Sequence, residues 1–218
     1  MYSIHHRTED AMKDFGKIPS QEVISTTQKA LTQNGIETFV VSNRTEALKK
    51  VLSFLPEKAE VFTLTSITLD EVGITKEVNE SSRYVSVRNA LYALDSQKQA
   101  REQRKLGTAP DFAIGSAHAV TESGIVMVAS FTGSQIPAYA YGAGSLIWVL
   151  GAQKIVSSLE EGLKRIHEYV LPKETTRARK AYNLPETFHS YPSKILLFEK
   201  EIQPGRVKLV LVQEVLGF

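Results

Sequence analysis

Three short apolar runs, Phe112 to Ile114, Ile125 to Ala129 and Leu146 to Leu150, constrain this chain more than any other feature. Each is rich in β-branched or aromatic residues, is bounded by Gly or Ser, and reads as a buried strand. Between the runs sit small and hydroxylated residues: Gly115, Ser116, Thr121, Ser123, Gly124, Ser130, Thr132, Gly133 and Ser134. His118 and Glu122 are the titratable side chains among them. Backbone N–H groups and hydroxyls delivered in this way to strand ends suit a polar ligand. The stretch from Asp111 to Val156 is therefore the expected seat of function.

The rest of the sequence supplies a frame for that stretch. Ser20 precedes an amphipathic helix that closes at Asn34-Gly35, and a strand follows at Ile36 to Val41. A second helix, Thr45 to Leu55, stops at Pro56 and leads to a strand at Glu60 to Leu64. This alternation predicts an α/β fold, an open sheet, mostly parallel or mixed, flanked by helices. Ser66 is placed to cap a helix ending at Gly73. A strand at Tyr84 to Val87 and a helix from Ala90 to Lys105, capped by Asn89, come next. Beyond Val156, Ser157 or Ser158 caps a helix that Pro172 closes, and a shorter helix spans Lys173 to Ala181. Lys194 to Glu199 and Val207 to Leu216 flank Gln203-Pro204-Gly205 and predict a hairpin. The expected organisation is an arm or short helix over residues 1–19, bearing His5 and His6, and a single α/β domain over residues 20–218.

Composition excludes several classes of function. With 26 basic and 24 acidic residues the chain offers no general field for nucleic acid or an anionic membrane. It has no apolar run long enough to span a bilayer and no signal-peptide core, so a cytoplasmic location is expected. The absence of cysteine excludes disulfides and thiolate-held metals or clusters, and no metal site is expected. The basic stretch Arg177-Ala-Arg-Lys180, with Lys164, Arg165 and Lys173 upstream, reads as a solvated helix face or, alternatively, an anion-binding edge.

Several residues carry chemistry. Glu122, in Thr121-Glu122-Ser123-Gly124, precedes a Gly and a strand, so its carboxylate is suited to act as nucleophile, general base or ligand anchor. The alternative is an acid that merely accepts backbone N–H groups of its own loop. His118 is either a catalytic group or a hydrogen-bonded structural histidine. Thr132-Gly133-Ser134-Gln135 resembles a backbone nest for phosphate or carboxylate but lacks the Gly-Lys-Ser/Thr ending of a P-loop. Gly142-Ala-Gly144 lacks the third glycine of a dinucleotide fingerprint and precedes a strand, which argues against Rossmann-type NAD binding. Thr65, Ser66 and Thr68 follow a strand and are ligand candidates by position. Trp148, inside an apolar run, belongs to the core.

The combination of Asp111-Phe-Ala-Ile-Gly, Ala119-Val-Thr-Glu-Ser-Gly124, the expected strand Gly151-Ala-Gln-Lys-Ile-Val156, and Leu163-Lys-Arg-Ile166 before Pro172 resembles the LUD domain family. That group includes the lactate utilisation protein C subunit. The resemblance implies an α/β fold similar to the NagB, ribose-5-phosphate isomerase and CoA-transferase group, with a pocket at strand ends. It implies a small anionic metabolite or cofactor as ligand, in support of lactate or organic-acid oxidation. It also implies two alternatives: a non-catalytic subunit docking an iron–sulfur oxidoreductase partner, and a CoA-transferase-like or sugar-phosphate enzyme using Glu122. The expected pocket joins Thr65, Ser66, His118, Thr121, Glu122, Ser123, Gly124, Thr132, Gly133, Ser134 and Gln135 in one hollow. Glu122 and His118 are its catalytic candidates.

Overall fold

The computed structural model describes residues 14–218, so His5, His6 and most of the expected N-terminal arm lie outside the described residues. Six strands form the main sheet: β1 (Glu37–Val41), β2 (Glu60–Thr63), β3 (Val85–Ser86), β4 (Phe112–Gly115), β7 (Ser145–Gly151) and β10 (Val207–Val212). Their order is β1-β10-β7-β4-β2-β3, and every neighbouring pair runs parallel. A second sheet, in the order β8-β5-β6-β9, contains β5 (Ala119–Thr121), β6 (Val126–Ser130), β8 (Ile155–Val156) and β9 (Lys194–Phe198). In it, β6 is antiparallel to β5 and β9, while β8 lies parallel to β5.

The apolar runs are strands because both of their faces are covered. Along β7, Leu146, Trp148 and Leu150 pack with Ile24 and Leu31 of helix α1 (Gln21–Gln33) and with Val120, Val126 and Val128 of the second sheet. The intervening Ile147 and Val149 meet Ala47 and Val51 of α2 (Arg44–Leu52), Leu69 of α3 (Ile67–Val72) and Val78 of α4 (Ile74–Glu80). A strand buried on both sides has no reason to alternate with polar residues. The far face of the second sheet packs Met127 and Val156 against Ile166. Helix starts follow sequence chemistry: Ser20, Asn43 and Ser158 each accept a backbone N–H from the residue three positions on.

Four expectations are corrected. β9 and β10 do not form a hairpin: β9 pairs with β6 in the second sheet, and β10 lies inside the main sheet between β1 and β7. The polar helix expected to end at Lys105 is two helices, α5 (Val87–Ala93) and α6 (Ala100–Thr108). Asp95 Oδ1 accepts the N–H groups of Gln97 and Lys98 and makes a turn there, and Ser86 rather than Asn89 caps α5. Gly151 to Val156 is not one strand, because a 3-10 turn, Ala152–Lys154, separates β7 from β8. Pro172 closes nothing: α7 (Leu159–Arg165) runs through a π turn, Ile166–Val170, into α8 (Leu171–Tyr182). The wider π turn accommodates a ring that would otherwise clash with the carbonyl one turn earlier. No helix among the described residues is long and apolar enough to cross a membrane.

Candidate functional site

Parallel strands deliver their carboxyl ends to one edge of a sheet, and ligands bind in the crevice beyond that edge. Here β2 is followed by Leu64, Thr65 and Ser66, β4 by Ser116, Ala117 and His118, and β7 by the turn carrying Lys154. All of these residues line a cleft of about 1150 Å³. Its opposite wall comes from the end of β6, with Ala129 and Ser130, the turn Thr132 to Gln135, α8, and the segment from Phe188 to Pro192.

Lys154 is the central group. Its side chain is 2% exposed, and its Nζ donates to Thr68 Oγ1 at 3.0 Å and to Ser116 Oγ at 3.1 Å. Neither partner carries a charge, and no ion pair to Lys154 occurs among the described residues. An ammonium has three donors, so one remains beyond these two hydroxyls. Burial, and then the nearby Arg165 charge, pull the amine down to about 7, against a smaller upward pull from Glu71.

His118 is a fixed, neutral imidazole. Its Nδ1 accepts the Ala129 backbone N–H at 3.0 Å, which places the ring hydrogen on Nε2. Burial pushes its pKa down to about 3, with further contributions from Lys154 and Arg165. Arg165 is fully buried beneath it. The guanidinium Nη1 donates to the His118 carbonyl in a short bond, while Nε and Nη2 have no hydrogen-bond partner. The Tyr169 ring lies 5.1 Å from its Cζ. Burial draws the guanidinium downward from its usual range, yet it remains ionised at neutral pH.

Further charges face the same space. Arg88 donates to Thr65 Oγ1 at 3.2 Å, and Arg104 lines the cleft on the exposed side of α6. Arg177 is neutralised by Glu174 through two 2.7 Å bonds. With that pair set aside, Lys154, Arg88 and Arg104 line the cleft with one acidic side chain, Asp70. Behind Ser116, Gly115 admits a close neighbour: a Cβ there would lie 1.7 Å from the Tyr139 hydroxyl, which donates to the Ser116 carbonyl at 3.4 Å.

The predicted site residues divide into two groups. Thr65, Ser66, His118, Thr132, Gly133, Ser134 and Gln135 all line the cleft. Glu122, Thr121, Ser123 and Gly124 do not; they form the β5–β6 turn, which packs against the end of α1. Asn34 Nδ2 donates to the Ser123 and Gly124 carbonyls at 3.0 and 3.2 Å, and a Cβ on Gly124 would lie 2.8 Å from the α1 backbone. Thr121 Oγ1 accepts the Ile125 N–H and meets Ser123 Oγ, so both hydroxyls are engaged within the turn. The expectation of one hollow shared by Glu122 and the Thr132 turn is therefore corrected. Lys154 and Arg88 were missed, and Arg165, expected with the basic stretch on a solvated face or an anion-binding edge, is instead fully buried. The one charged residue in the stretch from Leu146 to Val156 was the available signal.

This architecture is that of an open α/β protein with an electropositive cleft at the carboxyl ends of parallel strands. The model of the LUD domain matches residues 24–212, most of the chain. The protein belongs to the LUD domain family. A crystal structure of a DUF162 family protein from Deinococcus radiodurans shares the fold, with a TM-score of 0.54 at 12% identity over 88% of this chain and 96% of that one. A crystal structure of eIF2B delta from Chaetomium thermophilum matches at a TM-score of 0.34 and 12% identity, covering 65% of this chain and 55% of that one. No curated protein matches the sequence.

Proposed function

We propose that the protein binds a small anionic metabolite or cofactor in the cleft, with Lys154 as its principal charge partner. The observation that carries this reading is the buried Lys154 ammonium, held by two neutral hydroxyls at 3.0 and 3.1 Å without a carboxylate. An unpaired cation is expensive to bury unless a counter-charge arrives, and an anion entering the cleft supplies one. Thr65 and Ser66, which follow β2 at the same sheet edge, add hydroxyls suited to a carboxylate or phosphate. Neutral His118 offers a ring N–H rather than a charge. Lactate, the acid implied by the family resemblance, is a natural probe together with inorganic phosphate. Acyl transfer through Glu122 is no part of the reading, since that residue stands outside the cleft.

Calorimetric titration of the whole chain with lactate and with phosphate tests this. At least one anion binds, and Lys154→Met, which keeps the bulk and removes the charge, weakens it tenfold or more, a conservative fraction of a charged hydrogen bond. Equal affinity in the parent and the variant would remove Lys154, and the reading with it.

A further inference from the structure

The cleft has a second end, chemically unlike the first. Phe131 directly follows β6 and is 43% exposed, and Tyr191 beside it is 56% exposed. Their ring centroids are 4.8 Å apart at an interplanar angle of 65°, and Phe188 lies 5.9 Å from Phe131 at 61°. All three line the cleft. Rings left half in water gain little from the fold, and a clustered exposed apolar patch marks a binding surface more often than a lone one does.

The patch is also held in place. Ser193 Oγ donates to the Phe131 carbonyl in a short bond, and Arg179 Nε donates to the Phe188 carbonyl at 2.9 Å. Ser190 N–H donates to Thr175 Oγ1 on α8 at 3.0 Å. A surface fixed in this way loses little freedom when a flat group settles on it.

Size and spacing connect the two ends. The volume of about 1150 Å³ exceeds the roughly 300–1000 Å³ of most small-molecule sites, so an acid as small as lactate leaves most of the space to water. Lys154 bonds Ser116, His118 bonds Ala129, and each is one two-residue step from the next group along the wall. These contacts connect Lys154 to Phe131 within the one cleft that both residues line.

We infer that the cleft takes a two-ended ligand of the mononucleotide class, its heteroaromatic ring against Phe131 and Tyr191 and its phosphate at Lys154. This rests on the anion-binding reading above for its phosphate end and adds the ring end. Base–aromatic stacking tolerates any flat heterocycle, so the class is defined by a ring tethered to a phosphate rather than by one base.

Titrating the full chain with AMP, ribose 5-phosphate and adenosine separates the two ends. AMP binds about tenfold or more tighter than ribose 5-phosphate, the gain expected of one stacked base. In Phe131→Leu and Phe131→Ala that advantage disappears while ribose 5-phosphate affinity stays unchanged, since the side chain is exposed and its loss leaves the fold intact. Equal affinity for AMP and ribose 5-phosphate in the parent overturns the ring end and leaves the anion reading standing. An AMP advantage that persists in both Phe131 variants overturns it too. If lactate, phosphate, ribose 5-phosphate and AMP all fail to bind, the anion reading itself falls, and the inference with it.

Discussion

His118 Nδ1 accepts the backbone N–H of Ala129 at 3.0 Å, tying the segment before β5 to the end of β6 across the cleft wall. The bond exists only while Nδ1 is unprotonated. The folded-state pKa, about 3, lies below the ordinary 6.5, so between those values the unfolded chain binds a proton that the folded one refuses. Stability therefore falls as pH drops through that window, by at most roughly 2 kcal/mol between pH 6.5 and about pH 5. His118→Gln retains an acceptor and does not titrate. Urea unfolding at about pH 7.5 and about pH 5 is expected to show a smaller loss for the variant than for the parent; matching losses would show that His118 does not set this dependence.

The Lys154 amine predicts a pH-dependent affinity. Its pKa is about 7, and a bound anion raises it, so binding takes up a proton on the alkaline side. Sulfate is a suitable probe because it does not titrate in this range. Its affinity falls as pH rises through 7, approaching tenfold per unit, while Lys154→Met binds weakly and without that slope. His118 stays neutral across the same range and cannot supply the proton. A flat sulfate profile in the parent would show that the ammonium does not meet the anion.

Glu122 lies in the β5–β6 turn rather than in the cleft. Glu122→Gln is therefore expected to leave lactate and phosphate affinities within twofold of the parent. Asn34→Ala, which strips the donor from the Ser123 and Gly124 carbonyls, costs about 1 kcal/mol in urea unfolding and equally leaves affinity alone. A tenfold loss of affinity in Glu122→Gln would return that acid to the site.

The contrast between Glu122 and Lys154 shows what local sequence reveals. Runs such as Leu146 to Leu150 announce buried strands because covering both faces leaves no polar alternation, and Thr65, Ser66 and the Thr132 turn follow from where such strands end. Glu122 drew attention for its small neighbours, but Gly124 is small because α1 passes 2.8 Å from where its Cβ would be. That approach joins residues far apart in the chain. Lys154 was hidden by reading Gly151 to Val156 as one strand, whereas the turn at Ala152–Lys154 sends it toward Thr68 and Ser116. The tail was misread for a related reason. Pro204-Gly205 is a sound turn signal, yet β10 finds its partners in β1 and β7, and a turn sequence carries no record of partners so distant.

Arg206 and Glu201 form the buried pair that anchors the turn behind Ser116. Their 2.6 Å ion pair has side chains 5% and 8% exposed, and the same guanidinium donates to the carbonyls of Ala138, Tyr139 and Ala143. These bonds hold the π turn Ala138–Gly142, whose Tyr139 reaches the Ser116 carbonyl beside the Lys154 partner. Arg206→Met leaves a buried carboxylate without its counter-ion and three carbonyls without this donor, which costs about 3–5 kcal/mol in urea unfolding. Because the pair is shielded from solvent, added salt changes that loss little. Combining Arg206→Met with Glu201→Gln removes the stranded charge and is expected to restore part of the stability, but not the grip on the π turn, so phosphate affinity stays lower than in the parent. If Arg206→Met alone costs less than 1 kcal/mol, the ion pair is not what fixes the π turn, and the position of Ser116 has another source.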